Sequence, residues 1–237
     1  DLVRSRGLGD VYKRQVEPLP AIFCPRQAHA KKQYLAPPMV LRRESSPGSL
    51  RRIMDSAPHR LAGQFSLGGQ EHFYLEGQIA YALPLEDGAI KVYCSTQHPS
   101  EMQALVAHAL GIAANRVLIE CRRMGGGFGG KESQSSLFAV IAAVAAHRTG
   151  KPVKLRVDRD DDFLITGRRH PFEIDYEVGF DSSGRVLAVA ATLIGNAGFS
   201  TDLSPPVMTR AICHFDNAYW LPEVEVNGFL ARTNLQS

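Results

Sequence analysis

Ten consecutive residues constrain this chain more than any others: Arg123-Met124-Gly125-Gly126-Gly127-Phe128-Gly129-Gly130-Lys131-Glu132. Five glycines surround a single large aromatic. The apolar run from Ile112 to Cys121 precedes them and a helical pattern from Ser133 to His147 follows, which reads as strand, glycine loop, helix. A loop without Cβ atoms lets backbone N–H groups come close to an anionic or oxo-bearing ligand. Three readings fit. Gly125, Gly130 and Lys131 match the phosphate-loop spacing G-x-x-x-x-G-K of a nucleotide-binding module, but Glu132 stands where Ser or Thr would hold Mg²⁺. Gly125, Gly127 and Gly130 match G-x-G-x-x-G, without a clear acidic residue closing the next strand. The third reading is a cofactor loop: Phe128 packs against a bulky ligand and Glu132 enters the pocket from the start of a helix.

The other 227 residues narrow the class. Apolar content of 44% and charged content of 22% are ordinary for a globular chain. The net charge of +3 divides into +2 from residues 1–15 (Arg4, Arg6, Lys13 and Arg14 against Asp1 and Asp10) and +1 from the rest. That gives no nucleic-acid footprint. Cys24, Cys94, Cys121 and Cys213 form no C-x-x-C pair and supply no zinc or iron–sulfur ligand set. Scattered thiols fit a reducing, cytoplasmic setting. No stretch approaches the ~20 apolar residues of a membrane span.

Along the chain, residues 1–15 show neither helical nor strand period, and Asp10 to Gln15 matches a translated transposon end from sequencing-library preparation. We expect a non-native leader there. Prolines punctuate residues 16–52. Leu61 to Ala82 reads as extended, with Leu61, Phe65 and Leu67 alternating, and His72 reads as a satisfied structural histidine. Glu86-Asp87-Gly88 signals a hairpin between strands. Gln97, at the exit of the strand Ala89–Cys94, is by spacing a helix cap or a solvent residue, although its amide can donate to an oxo group. Pro99–Leu110 is a helix with Ser100 as a possible cap and Gly111 as its stop. Ser133–Arg148 is a second, alanine-rich helix; a Glu132 at its start gains from the helix dipole. Asp158 to Asp162 reads as a solvated turn with local ion pairs. Phe172–Phe180 and Arg185–Ile194 form a hairpin through Asp181–Gly184, Gly195–Phe199 is a flexible exit, Pro205–Phe215 is a helix carrying Arg210, and Val224–Leu230 is a last strand. By spacing alone Arg210 is an ordinary surface arginine. The expected fold is α+β.

The glycine loop resembles the molybdenum-cofactor loop of the xanthine dehydrogenase/aldehyde oxidase family. Gly68-Gly69-Gln70-Glu71-His72-Phe73-Tyr74-Leu75-Glu76, Ser95-Thr96-Gln97, Asp158-Arg159-Asp160, Ile165-Thr166-Gly167-Arg168-Arg169-His170-Pro171 and Arg210-Ala211 are also similar to that family, in its order. The resemblance implies a molybdopterin-binding domain of antiparallel sheets with packed helices. It assigns residues 16–52 to the end of an N-terminal α/β module and a linker, and 53–237 to a first cofactor-binding domain truncated at its C-terminus. Gln97, Gly126, Gly127, Phe128 and Gly129 would bind molybdenum–molybdopterin, with Gln97 and Phe128 in the metal's environment. Glu132 and Arg210 would bind substrate and point to the xanthine dehydrogenase side of the family. There a purine C–H is hydroxylated with water as oxygen source and hydride passes to a sulfido ligand; aldehyde or carbon monoxide oxidation is the alternative. No catalytic residue falls within these residues. The general-base glutamate is expected beyond Ser237, so the piece alone is expected to be inactive. [2Fe–2S] and FAD centres are expected on partner chains or other domains of a hetero-oligomer, with no nucleic-acid or membrane partner.

Overall fold

The computed structural model describes residue 17 and residues 19–236; the leader expected at residues 1–15 lies outside the described residues. In chain order the elements are α1 (Pro25–Ala30), β1 (Met39–Arg43), α2 (Ser49–Ser56), β2 (His59–Leu67), β3 (Ile79–Pro84), β4 (Ile90–Cys94), α3 (Pro99–Leu110), β5 (Val117–Glu120), α4 (Ser135–Thr149), β6 (Val153–Arg156), α5 (Arg159–Ile165), β7 (Phe172–Phe180), β8 (Val186–Gly198), α6 (Ser204–Cys213) and β9 (Glu223–Arg232).

The smaller sheet has the order β5-β4-β3-β6. Its β3–β4 hairpin turns through Glu86–Gly88, with Asp87 and Gly88 at φ 54° and 72°, the left-handed pair that suits the twist of flanking strands. α3 opens on Pro99 and stops at Gly111 (φ 66°), as its end signals predict. Ser100 lies inside its first turn and does not cap it; the cap position is His98. Ala139, Ala142, Ala143 and Ala146 of α4 are fully buried against α3 and β3, with Met102, Val106 and Val92. Their small side chains let the two helices and the sheet approach closely.

The larger sheet has the order β1-β9-β8-β7-β2. The β7–β8 hairpin is closed by Asp181, whose carboxylate accepts from the N–H groups of Ser183 and Arg185 at 2.8 and 3.0 Å. α6 lies on β9 at Gly228, where an added Cβ would stand 2.6 Å from Ile212 Cδ1. Residues 25–56, which take in most of the 16–52 segment expected to end one module and link to the next, supply α1, β1 and α2 to the packing of this sheet.

Four features differ from expectation. Neither sheet is purely antiparallel: β4 pairs with β5, and β8 with β9, in parallel. Each parallel pair is joined by a helical crossover, α3 and α6, because strands running the same way cannot share a tight turn. β8 continues to Gly198 where a flexible exit was expected; Asn196 Oδ1 accepts from Thr233 Oγ1 at 2.6 Å and Ala197 is fully buried. Asp158–Asp162 opens a helix rather than a turn, although Asp158, Asp160 and Asp161 are exposed and Arg159 pairs locally with Asp162 at 3.6 Å. Asp158 caps α5, accepting from Arg159 N–H at 2.7 Å, and Asp162 is buried. Finally, Leu61, Phe65 and Leu67 on the edge strand β2 remain 55%, 54% and 45% exposed, since no layer of the described residues covers them. Among the described residues no helix is long and apolar enough to cross a membrane.

Candidate functional site

β4 and β5 end side by side. From their ends depart the two segments that build the site, Ser95–Gln97 and Arg122–Lys131. The glycine loop needs its glycines for close approach. A Cβ on Gly127 would stand 2.5 Å from Gln97 Oε1, and one on Gly130 would stand 2.7 Å from the Tyr74 ring and 2.8 Å from that of His72. Between them Phe128 is the exception: a bulky residue at φ 54°, its side chain 63% exposed. A non-glycine residue there costs on the order of 1–3 kcal/mol and persists only where its surroundings fix it.

The surroundings do so through buried polar partners. Lys131 is fully buried, and its ammonium donates to the Glu76 carbonyl at 2.6 Å and to Ser95 Oγ at 2.9 Å. Burial draws its pKa below the ordinary lysine value, with Glu76 pulling the other way. The Glu76 carboxylate accepts from Gly125 N–H at 2.9 Å and Ser95 Oγ at 2.8 Å, and lies 3.5 Å from Lys131 Nζ. Burial pushes the Glu76 carboxyl up, but these donors and the lysine charge outweigh it and hold it below the usual carboxylate range. Behind the loop, Gln78 Nε2 donates to Gly130 O at 3.0 Å and to Tyr74 Oη at 2.9 Å, and Tyr74 donates to buried Asp162 at 2.8 Å. Burial and that bond push the Tyr74 phenol up to about 12.

This anchoring bears on the phosphate-loop reading. Lys131 faces the interior and is occupied there, so the loop offers no ammonium to a bound phosphate. What it does offer is backbone. Gly125, Gly129, Gly130 and Lys131 spend their N–H groups on Glu76, Gln97, Gly127 O and Gln97. The three successive N–H groups of Gly126, Gly127 and Phe128 have no acceptor among the described residues. Consecutive amides left free in a glycine turn form a concavity suited to an anion or an oxo group.

Gln97 lies against the same loop at Gly127. Its Oε1 accepts from Gly129 N–H at 2.9 Å and Lys131 N–H at 3.2 Å. Two backbone donors on one atom identify it as the carbonyl oxygen, which leaves the NH₂ group with no acceptor among the described residues. Gln97 does not cap α3; its backbone N–H is bonded to Lys131 O at 2.8 Å.

Glu132 also differs in detail from expectation. α4 begins at Ser135, not at Ser133, so Glu132 sits in the turn before the helix and outside its first turn. The Ser136 and Leu137 N–H groups bond the carbonyls of Ser133 and Gln134, only three residues back, so a tight turn precedes the helix. From that turn Glu132 lines a cavity of about 360 Å³ with Phe128, Gly129, His72, Arg169, His170, Asp202 and Val207. The bridge between Gln70 and Arg169 brings the two histidine-bearing segments together here. His170 Nε2 lies 2.8 Å from Ser204 Oγ. Burial lowers the pKa of both His72 and His170, favouring neutral rings. Arg210 stands one turn beyond Val207 on α6; it is exposed, outside the cavity lining, with its guanidinium 2.7 Å from His214 Nε2. The structure therefore brings Phe128, Gly129 and Glu132 to one cavity, with Gln97, Gly126 and Gly127 at the loop behind it and Arg210 on the helix beside it.

Sequence reasoning missed Glu76, Asp162, Asp202 and the inward turn of Lys131, and read His170 as no more than part of a motif; His72, expected to be a satisfied structural histidine, lines the cavity with its buried Nδ1 lacking a partner among the described residues. Glu76 and His170 lay inside quoted motifs, so their positions were signalled without their roles. Among the described residues no group of three His, Cys, Asp or Glu side chains is arranged to hold a metal ion directly. The free amides and the Cβ-free cradle fit instead a metal group carried by its own organic ligand.

Comparison with known proteins gives the same direction. Residues 33–237 match the family model of the molybdopterin cofactor-binding domain. A xanthine dehydrogenase of Calliphora vicina is 45% identical over 190 residues, covering 80% of this chain and 14% of that protein. A xanthine dehydrogenase/oxidase of Gallus gallus is 39% identical over 234 residues, 98% of this chain and 17% of that protein. The chain thus spans under a fifth of these relatives' length. In fold it is similar to an aldehyde oxidoreductase of Desulfovibrio gigas, with TM-score 0.81 at 24% identity over 94% of this chain and 25% of that one.

Proposed function

The chain belongs to the molybdopterin cofactor-binding domain family, and from that premise we propose that the protein carrying it is a molybdenum hydroxylase of purines such as hypoxanthine and xanthine. The observation that carries this reading is the row of free N–H groups at Gly126, Gly127 and Phe128 beside the uncommitted Gln97 amide. When bound, the molybdenum–molybdopterin group supplies two-electron redox and oxygen-transfer chemistry. The residues of this chain hold that group and orient the substrate. Gly126, Gly127 and Phe128 would donate backbone N–H groups to the group's oxygens, Gln97 would add its NH₂, and the Phe128 side chain, which lines the cavity, would stand beside the metal. Glu132 accepts from or shares protons with ring nitrogens and sets orientation. Arg210, released from His214, turns toward the cavity and offsets negative charge growing on a purine oxygen; its planar fork suits a carbonyl oxygen better than a lysine would. The base that activates water, and the [2Fe–2S] and FAD centres of a hetero-oligomeric assembly, lie outside these residues in this reading. The 237 residues alone then retain far less than one molybdenum per chain and turn over no purine.

The xanthine dehydrogenase relatives, 39–47% identical to this chain, support the purine assignment over aldehyde or carbon monoxide oxidation. Glu132→Gln and Arg210→Met in the intact protein test it on hypoxanthine and on a simple aldehyde. Each is expected to lower kcat/KM for hypoxanthine by on the order of 100-fold while sparing the aldehyde. Equal losses on both substrates, or none on hypoxanthine, would refute the assignment.

A further inference from the structure

Two of the four cysteines sit at the roots of the site, and nothing in the proposed chemistry uses them. Cys94 is the last residue of β4 and Cys121 follows the last residue of β5. The parallel register ends on the pair Tyr93 and Glu120, and Cys94 and Cys121 are the next residues along the two segments. Their facing can be read from their neighbours. Lys91 Nζ bonds Glu120 at 2.7 Å and lies 4.6 Å from the Tyr93 ring, while the Arg122 guanidinium stacks 5.1 Å from that ring. Lys91, Tyr93, Glu120 and Arg122 therefore share one face, and the residues between them, Cys94 and Cys121, share the other. Cys94 is buried there and donates to Ile79 O at 3.2 Å; Cys121 is half-buried. A negative charge on one sulfur is felt by the other, since Cys121 contributes to raising the Cys94 thiol to about 12 after burial itself. Adjacent strands lie about 4.8 Å apart, inside the roughly 4.4–6.8 Å Cα separation of disulfides.

We infer that Cys94 and Cys121 form a reversible, peroxide-driven disulfide that ties the root of the Gln97 segment to the root of the glycine loop. Cys121, the more accessible sulfur, attacks hydrogen peroxide as thiolate: an S–O bond forms, the O–O bond breaks, and hydroxide leaves. Cys94 then attacks the Cys121 sulfenic sulfur: the S–S bond forms, the S–O bond breaks, and the departing hydroxide takes the Cys94 proton as water. Peroxide is reduced and two thiols are oxidised, with two electrons passed. An in-register parallel pair is held away from relaxed disulfide geometry, which keeps the bond easily reduced. The cross-link does not depend on what the loop holds.

The test is a peroxide titration of the intact reduced protein, followed by alkylation, tryptic digestion without reductant and mass spectrometry. Cleavage at Lys91, Arg116 and Arg122 separates the two cysteines onto the peptides 92–116 and 117–122. The expected result is a linked pair of these peptides, two hydrogens lighter than their sum, with loss of two free thiols, reversal by dithiothreitol, and absence in Cys121→Ser. Cys94→Ser should leave Cys121 as a trapped sulfenic acid that reacts with dimedone. Over-oxidation of Cys121 to sulfinic acid in the unmutated protein with no linked pair, or pairs formed equally with Cys24 or Cys213, would overturn the inference.

Discussion

Placing one methyl group on Gly127 tests whether the loop is shaped by Gln97. The added Cβ would stand 2.5, 2.8 and 3.0 Å from Oε1, Cδ and Cγ of Gln97, and these are its three nearest atoms. Gly127 is not in the left-handed region, so alanine suffers no backbone penalty there. The cost comes from displacing a carboxamide that accepts two backbone N–H bonds. At about 0.5–1.5 kcal/mol each, roughly 1–3 kcal/mol is lost. The stiffer unfolded chain of alanine returns about 0.4–1 kcal/mol. Gly127→Ala is therefore expected to destabilise by about 1–2 kcal/mol on these two terms. In a Gln97→Ala background the clashing atoms are gone, and the same substitution should become neutral or slightly stabilising. Urea unfolding of the four proteins of this cycle measures the coupling, expected at about 2 kcal/mol. An identical cost of Gly127→Ala in both backgrounds would show that the contact does not shape the loop.

Other outcomes follow from the same anchoring. Lys131→Met should destabilise by about 3 kcal/mol or more in denaturant unfolding, because it strips the Glu76 carbonyl and Ser95 of their buried cation; a phosphate-loop lysine would instead leave stability unchanged. Phe128→Gly removes the left-handed strain and should leave unfolding stability equal or higher while lowering molybdenum content by elemental analysis; unchanged molybdenum would deny the ring a role. His72 and His170 have lowered folded pKa values, so the unfolded chain takes up protons first as pH falls. Their contribution is complete above the ordinary histidine value of about 6.5 and is lost as pH drops through the lowered folded values. A stability–pH curve should fall in that acid window, and His72→Asn with His170→Asn should flatten it; an unchanged slope in the double variant would refute this.

Some of this was readable in the sequence and some was not, for identifiable reasons. α3 was legible to the residue because Pro99 and Gly111 punctuate it, and the β7–β8 hairpin because Asp181–Gly184 interrupts two alternating runs. The glycine loop was legible as a cradle because five glycines around one aromatic leave few other uses. Lys131 was not, since a lysine after glycines reads as a surface cation until Glu76, 55 residues away, is placed beside it. Asp162 was hidden in a charge run for the same reason: its partner Tyr74 lies 88 residues off. The parallel pairings carried a signal that went unused, namely a whole helix between β4 and β5. Where Arg210 points was beyond sequence, because α6 fixes its backbone while His214 holds its guanidinium.

In the proposed function, the free amides of Gly126, Gly127 and Phe128, together with the Gln97 NH₂, hold the oxygens of a molybdenum group. A crystal structure of the intact protein loaded with molybdenum and molybdopterin tests it most directly. Group oxygens are expected within hydrogen-bond distance of those amides, with the Phe128 ring beside the metal and Glu132 facing the same cavity. Finding the group elsewhere, with those N–H groups bonded only to water, would contradict it.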